Sequence, residues 1–217
     1  VTQIIDYPSL QTAVIEYLAR DQDLTLIARI PTFIQLAEAK FNRQLFMRQM
    51  ERRSTTLINT ASSAPEFISL PTDFQSMRRV RLSGVTGKPR LEFKSGTQMD
   101  EYRFATSNVT AQPRYFTVSG GEIELVPTPD AAYAIEMVYR KNISPLASSA
   151  SNWLLALAPD LYLYGALLES APYIKEDARI QTWGLGFSSA LADLNNLGLI
   201  STFDAGPMTV RVSGQVI

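Results

Sequence analysis

Neither cysteine nor histidine occurs anywhere in the 217 residues. Without cysteine there is no disulfide framework, no thiolate nucleophile and no cysteine-bound zinc. Without histidine the usual general base, the Ser-His-Asp machinery and most transition-metal sites are gone as well. An enzyme would be left with carboxylate, lysine, tyrosine or oxygen-ligated metal chemistry. A non-enzymatic protein without a cofactor is therefore expected. Charge of one sign is also scarce. Lys and Arg number 20 against 21 Asp and Glu, a formal net charge of −1, and no run of four basic residues occurs. This argues against a strongly electrostatic partner such as a specifically bound nucleic acid or an anionic membrane. Long apolar runs are missing too. The longest, around Trp153–Ala158, is broken by Pro159 and Asp160, well short of the roughly 18–20 residues of a membrane span. The opening VTQIIDYPSL lacks a basic region followed by an apolar run, so no signal peptide is expected. Val1 fits removal of an initiator Met before a small residue.

What is present is the balance of a folded protein, with 46% apolar and 19% charged residues. A chain of this length holds one sizeable core or two small ones and buries roughly 70% of its unfolded surface. No internal repeat is visible. Leu10, Val14, Tyr17 and Leu18 recur at helical spacing behind Asp6, a suitable N-cap, and Pro8 in a first turn. Phe33, Leu36, Ala37, Phe41 and Leu45 form a second stripe in a longer helix. Pro31 begins it, because a missing N–H costs nothing in a first turn.

From about Arg48 to Ile143 the period becomes two. RRSTTLI, EFISLPTDFQSMRRVRL, PRLEF, RYFTVSGGEIELVP and AYAIEMVYR predict six or seven strands. Gly120-Gly121 supplies the positive φ of a tight hairpin turn. SGTQMDEYRF predicts a short helical crossover. Helices return after the Ser-rich 144–152: one from Pro159 to about Ser170, another from Pro172 to about Leu197. Ile180, Trp183, Phe187, Ala190, Leu191 and Leu194 line one face of the latter. The expected fold class is α+β: a helical bundle from residues 1–47 and 144–198, with an inserted antiparallel β sandwich or barrel-like domain at 48–143. Residues 199–217, with Gly206-Pro207 before TVRV, predict an arm or an extra strand.

Few motifs suggest chemistry. GLGFSS at Gly184 lacks the third glycine of a dinucleotide loop and sits within a helix pattern. Asp21 and Asp23 have the spacing of an acidic pair but the position of helix caps. Glu122 and Glu124 point to one side of a strand, which predicts a solvated face. Arg78, Arg79 and Arg81 lie on one strand, with Arg48, Arg52 and Arg53 near an earlier one. If those strands pair, the guanidinium groups share a surface. It serves either phosphate backbone in a channel lumen or ion pairs with carboxylates, including those of a neighbouring subunit. The segment NWLLALAPDLYLYGALLE is apolar on two faces. Leu154, Leu157, Leu161 and Leu168 form one stripe, while Leu155, Tyr162, Leu163 and Ala166 lie off it. Such a helix is either central to its own bundle or covered by another subunit, and Tyr162 and Tyr164 are amphipathic anchors of the kind enriched at interfaces.

ARIPTFIQLAEAKFNR, LPTDF, QPRYFTVSGGEIELVPTPD and especially APDLYLYGALLESAPYIKEDAR resemble, in pattern and order, the head-to-tail adaptors of tailed bacteriophages. These are similar to tail tubular protein A of short-tailed phages. The likeness runs from about residue 4 to 197. It implies a structural virion protein, made in the host cytoplasm and placed at the neck between capsid and tail. Family members form a ring, commonly of twelve copies, between the portal protein and the tail nozzle or tube, with genomic DNA passing non-specifically through the channel. On that reading Leu155, Tyr162, Leu163, Phe203, Met208, Val210 and Val212 are expected at subunit or portal contacts. Residues 199–217 are expected to dock on the portal or a neighbour. Gly84 and Lys88 in the loop 83–88, and Gly120 and Gly121 at the hairpin tip, are expected on the tail side. Two other readings stand beside this one. One is a different phage structural part, for tail completion or capsid decoration. The other is a carboxylate-based cell-wall hydrolase, which needs two acids converging in a cleft.

Overall fold

The computed structural model describes residues 3–107, 109–175 and 178–202, with side chains through Ile200. The protein is α+β and divides into two compact units, Val1–Gln49 with Ile143–Ile217, and Met50–Asn142.

The helical unit contains α1 (Tyr7–Leu18), α2 (Leu24–Ile27), α3 (Ile30–Gln44), α5 (Leu146–Ser149), α6 (Trp153–Leu157), α7 (Pro159–Ile174) and α8 (Ile180–Thr202). Local chemistry sets the starts. Asp6 caps α1 by accepting from the Ser9 N–H at 2.9 Å, and the Ser9 hydroxyl accepts from the Asp6 N–H in return. Asp23 accepts from the N–H groups of Thr25 and Leu26 and so starts α2. Prolines occupy the first turns of α1, α3 and α7, where no intrahelical donor is lost.

Helix α7 is the hub and packs against α1, α3, α6 and α8. Its Leu161, Tyr162, Ala166 and Leu167 are fully buried. Gly165 lets α3 approach closely: a Cβ there would lie 3.0 Å from the Phe41 ring and 3.2 Å from Ala37 Cβ. Phe41 meets the Tyr162 ring edge-on, with centroids 4.9 Å apart. Trp183, Phe187, Ala190 and Leu194 give α8 its buried stripe.

A polar network lies inside this core. Buried Glu38 accepts from the Leu146 N–H at 2.8 Å and from the Tyr162 hydroxyl at 3.4 Å. The same hydroxyl accepts from Asn152 Nδ2 at 2.7 Å. The Ser-rich connection is thereby fastened to α3 and α7. Near its end α8 holds the chain that leaves α3. Asn195 accepts from the Phe46 N–H at 2.8 Å and donates to the Gln44 carbonyl at 3.1 Å. Gly198 sits so close that any Cβ would collide with the Phe46 carbonyl.

Several expectations for the helices need correction. Pro172 does not open the last helix. It lies in the final turn of α7, where only one i−4 bond is forgone, and the left-handed Lys175 (φ 58°) ends that helix. Helix α8 runs to Thr202, past the expected boundary at 198, because nothing in LGLIST breaks a helix. Leu36 and Tyr17 are exposed, and Ile34 takes the buried place on α3. Leu157 is exposed as well.

The β unit holds β1 (Glu51–Leu57), β2 (Phe67–Ser69), β3 (Phe74–Leu82), β4 (Glu92–Phe93), α4 (Gly96–Ala105), β5 (Tyr115–Ser119), β6 (Glu122–Val126) and β7 (Ala134–Lys141). They form a three-stranded sheet, β1-β7-β3, and a four-stranded sheet, β2-β6-β5-β4. All pairings are antiparallel except β4 with β5, so the second sheet is mixed. Side chains from both sheets share one core, including Val80, Leu82, Ile135, Met137 and Tyr139 from one, and Phe116, Ile123 and Leu125 from the other. This is a small sandwich, not a closed barrel. Ser95 and Gln98 form a capping box that starts α4. Gly120 and Gly121, at φ 58° and 89°, make the β5–β6 turn.

Candidate functional site

Three features of the β unit face outward, and none has the form of a catalytic cleft. The first is the outer side of the β1-β7-β3 sheet. Period-two alternation puts Ile135, Met137 and Tyr139 of β7 into the core and turns Glu136, Val138 and Arg140 the other way. Glu136 is buried at 5% exposure. Arg81 of β3 lies 2.7 Å from it and Arg53 of β1 3.7 Å. The hydrogen bond from Arg81 holds the Glu136 carboxyl below its ordinary range, and the charges of Arg53 and Arg79 pull the same way. Arg78 sits at an irregularity between Met77 and Arg79 and faces Glu51 at 3.5 Å.

The two arginine-bearing strands do not pair with each other, as the sequence suggested they might; β7 runs between them. Register also separates Arg52 from Arg53. Arg52, opposite Tyr139, reaches Asp73 at 2.9 Å, and the Tyr139 hydroxyl donates to the same carboxylate at 2.8 Å. Burial pushes Asp73 up, but the bonds from Tyr139 and Arg52 outweigh it and the carboxyl ends low. The Tyr139 hydroxyl is pushed up to about 12, by burial first and then by Asp73. Arg52, Arg53, Arg78 and Arg81 thus meet carboxylates of their own unit.

The second feature is the open side of the sandwich. Over its last residues β3 is covered: the Leu82 N–H donates to Pro89 O and the Leu91 N–H to Val80 O, both at 3.0 Å. At Leu91–Glu92 the chain then crosses to the other sheet, where β4 pairs with Tyr115 and Phe116 of β5. Among the described residues, no strand lies beside the outer edge of Phe74–Arg79. A groove of about 620 Å³ opens there. Phe74, Met77, Phe93 and Val118 give it apolar walls, and Arg78, Arg79 and Arg90 stand at its rim. Phe74, Met77 and Val118 pack against the core while staying half-exposed.

The third feature is the pair of loops. A Cβ on Gly84 would lie 3.7 Å from Ala134 Cβ, an ordinary contact, in the loop after β3, where Gly87 and Lys88 take φ of 81° and 44°. The Gly121 carbonyl accepts from the Leu70 N–H, just before the tight turn that leads into Phe74. The loop 83–88 and the tip at Gly120-Gly121 therefore stand at opposite ends of the nine-residue β3, and cannot both face one side of the unit. The tip shares its end with Glu51 and Lys141, where the chain enters and leaves the unit; the loop is at the far end.

Of the residues expected at subunit contacts, Leu155, Tyr162 and Leu163 lie inside the helical unit's own core, because α7 has helices on several sides. Phe203, Met208, Val210 and Val212 lie outside the described residues. The large apolar residues that do reach solvent on α8 are Leu185, Leu197, Leu199 and Ile200, and α4 exposes Phe104. The weaker motifs resolve into structure. Asp23 is a helix cap, Glu124 pairs with Arg103, Glu122 accepts from the Ser69 hydroxyl, and GLGFSS lies within α8. No helix among the described residues is long and apolar enough to cross a membrane.

The sequence model of a family described as SU10 adaptor protein matches residues 5–212. The chain belongs to the SU10 adaptor protein family. It is accordingly a bacteriophage adaptor, a structural protein of the virion neck. A search of curated proteins finds no match. The sequence reading did not anticipate the groove by β3. The groove by β3 arises from a crossing between sheets at Leu91–Glu92, and no local pattern records which strand edge that crossing leaves open.

Proposed function

We propose that this adaptor forms a ring of twelve copies between the portal and the tail nozzle or tube, in the manner of tail tubular protein A, with genomic DNA passing through the channel. The family match over nearly the whole chain carries this reading. Its work is geometric and not catalytic: one surface fits the portal, another the next tail component. The loop 83–88, with Gly84 and Lys88, is the tail-side contact, since it lies at the end of the β unit away from its two chain connections. Gly120 and Gly121, at the other end, are not on that side.

Charge supports a conduit in which a duplex slides. Twelve copies at −1 each carry a formal −12, and tight phosphate binding along the lumen would retard passage. Arg52, Arg53, Arg78 and Arg81 are paired with carboxylates, which makes subunit scaffolding a better role for them than a phosphate ladder. Electron microscopy of virions, and of the chain mixed with its portal, tests the proposal. A twelve-fold ring at the neck is expected. A single copy per vertex, or a location on the capsid surface as for a decoration protein, overturns it.

A further inference from the structure

We infer that the pocket between α1, α3 and the connection at Pro145 takes a lysine side chain of a partner protein, with its ammonium on the Glu38 carboxylate. The inference needs only that the adaptor meets other proteins, so it stands apart from the ring proposed above. The pocket is a cavity of about 410 Å³ within the helical unit. Glu38 of α3 lines it, with Tyr7, Thr32 and Gln35 adding polar groups and Pro31 and Pro145 apolar walls. Glu38 is only 6% exposed. The bonds from the Leu146 N–H and the Tyr162 hydroxyl both fall on Oε1. Oε2 takes none among the described residues and is not sealed away, so it opens on the pocket.

The hydrogen bonds account for the shape of this side chain but not for its charge. A glutamine would accept the same two bonds without the cost of burying an anion, and a buried anion is normally held by a cation. Here the described residues supply none. Burial raises the carboxyl, the Leu146 and Tyr162 bonds lower it, and no cation contributes. Lys40, two residues further along α3, is paired with Glu169. A cation brought from outside completes the site. One open oxygen suits a compact ammonium, whereas the flat fork of a guanidinium needs both carboxylate oxygens for its bidentate grip. The methylene stem of a lysine lies along apolar walls, and the polar groups of Tyr7, Thr32 and Gln35 stand in the same pocket for its other N–H donors. A metal ion fits poorly, because among the described residues no three ligating side chains gather. A second copy is a poor source as well. Of its 20 basic residues only Lys40, Lys88, Lys94, Lys141 and Lys175 are lysines, so a site that selects ammonium over guanidinium disfavours most of the chain's own cations.

The test uses the full chain and a lysine blocked at both backbone ends, Nα-acetyl-lysine methyl amide, in mildly alkaline buffer. Amide NMR follows the Leu146 N–H, which reports on Glu38 directly. A saturable shift of Leu146 and of the residues around the pocket is expected. It should vanish in Glu38→Gln. It should weaken several-fold in Gln35→Lys, where an exposed position brings an ammonium of the chain's own within one turn of Glu38. Arginine blocked in the same way should bind several-fold more weakly than lysine. No saturable shift, an unchanged shift in either variant, or arginine binding as tightly as lysine overturns the inference; Gln35→Lys carries the comparison should Glu38→Gln not fold. Putrescine binding far more tightly than blocked lysine makes the ligand a free diamine and overturns the protein partner. So does an oligomer of the chain alone that blocked lysine disperses in sedimentation, since a second copy then fills the pocket. All these readings are taken without portal or ring, so their failure leaves the assembly to be decided by imaging at the neck.

Discussion

The two units of the adaptor are held by different chemistry. In the helical unit the interior is hydrocarbon and aromatic rings around α7, with one fully satisfied polar network at Glu38. In the β unit one side of a sheet is organised by charge, with Glu136 between Arg53 and Arg81, and among the described residues one side of the sandwich borders a groove. A core closed by its own chain leaves little surface for a partner to complete. A core open at one edge leaves an apolar surface that an assembly can cover, and exposed apolar surface of this kind usually marks an interaction site. Among the described residues the helical unit closes its core around α7, whereas the β unit keeps Phe74, Met77 and Val118 only half-covered beside the groove.

The largest test of this contrast is Phe41→Ala. It removes a ring that packs on Tyr162 and Phe187 and should cost about 3–5 kcal/mol. Hydrogen exchange read by peptides should show lost protection in residues 3–49 and 143–202 and little change in 50–142. Equal loss in both would mean the two units unfold as one, and the contrast would fail. Gly165→Val comes next: its side chain has no room against Phe41 and Ala37, and overpacking of this kind costs about 1–3 kcal/mol, again in the helical unit. Ser95→Ala removes the cap of α4 in the β unit. A loss of about 1 kcal/mol, confined to peptides around α4, is expected in denaturant titration with exchange mapping.

The finest test is pH. Burial raises the Glu38 carboxyl above its ordinary 4.5. Its ionisation therefore disfavours the fold, and stability of the helical unit should rise as pH falls through the raised value toward 4.5. Glu136 is held below 4.5. Its contribution is complete above that value and is lost as pH falls through the depressed one. Glu38→Gln should flatten the first trend and Glu136→Gln the second, each without touching the other unit's response. Asp73 in the β unit, and the caps Asp6 and Asp23 in the helical unit, are also depressed. They persist in both variants and leave an acid limb in each unit.

Much of the fold could be read from residue type and spacing because local chemistry dictated it. Asp6 before Pro8, Pro31 and Pro159 in first turns, and the Gly120-Gly121 turn each require their residues for reasons within a few positions of the chain. The α+β class followed from the change of period near Arg48 and its reversal after Ile143. What sequence did not disclose depended on partners far along the chain. Pro172 has the signature of a helix start, and only the left-handed Lys175 shows where α7 stops. Leu36 carries the right character for a buried stripe on the wrong side of α3. The arginines could be grouped, yet two of them, Arg53 and Arg81, meet Glu136 on β7, a strand far along the chain from either, which no spacing rule connects. The groove beside β3 was the least legible part, since it is a property of topology and not of any one segment.

The clasp between α8 and the segment after α3 has a mechanical meaning. Asn195 grips the backbone at the Gln44 carbonyl and the Phe46 N–H, and Gly198 presses against the Phe46 carbonyl with no side chain to yield. Helix α8 ends at Thr202, a few residues beyond Gly198, and β1 begins at Glu51, a few residues beyond Phe46. A pull on the end of the chain is thus borne at one fixed point on the lead into β1, as a cable is clamped before it enters a housing.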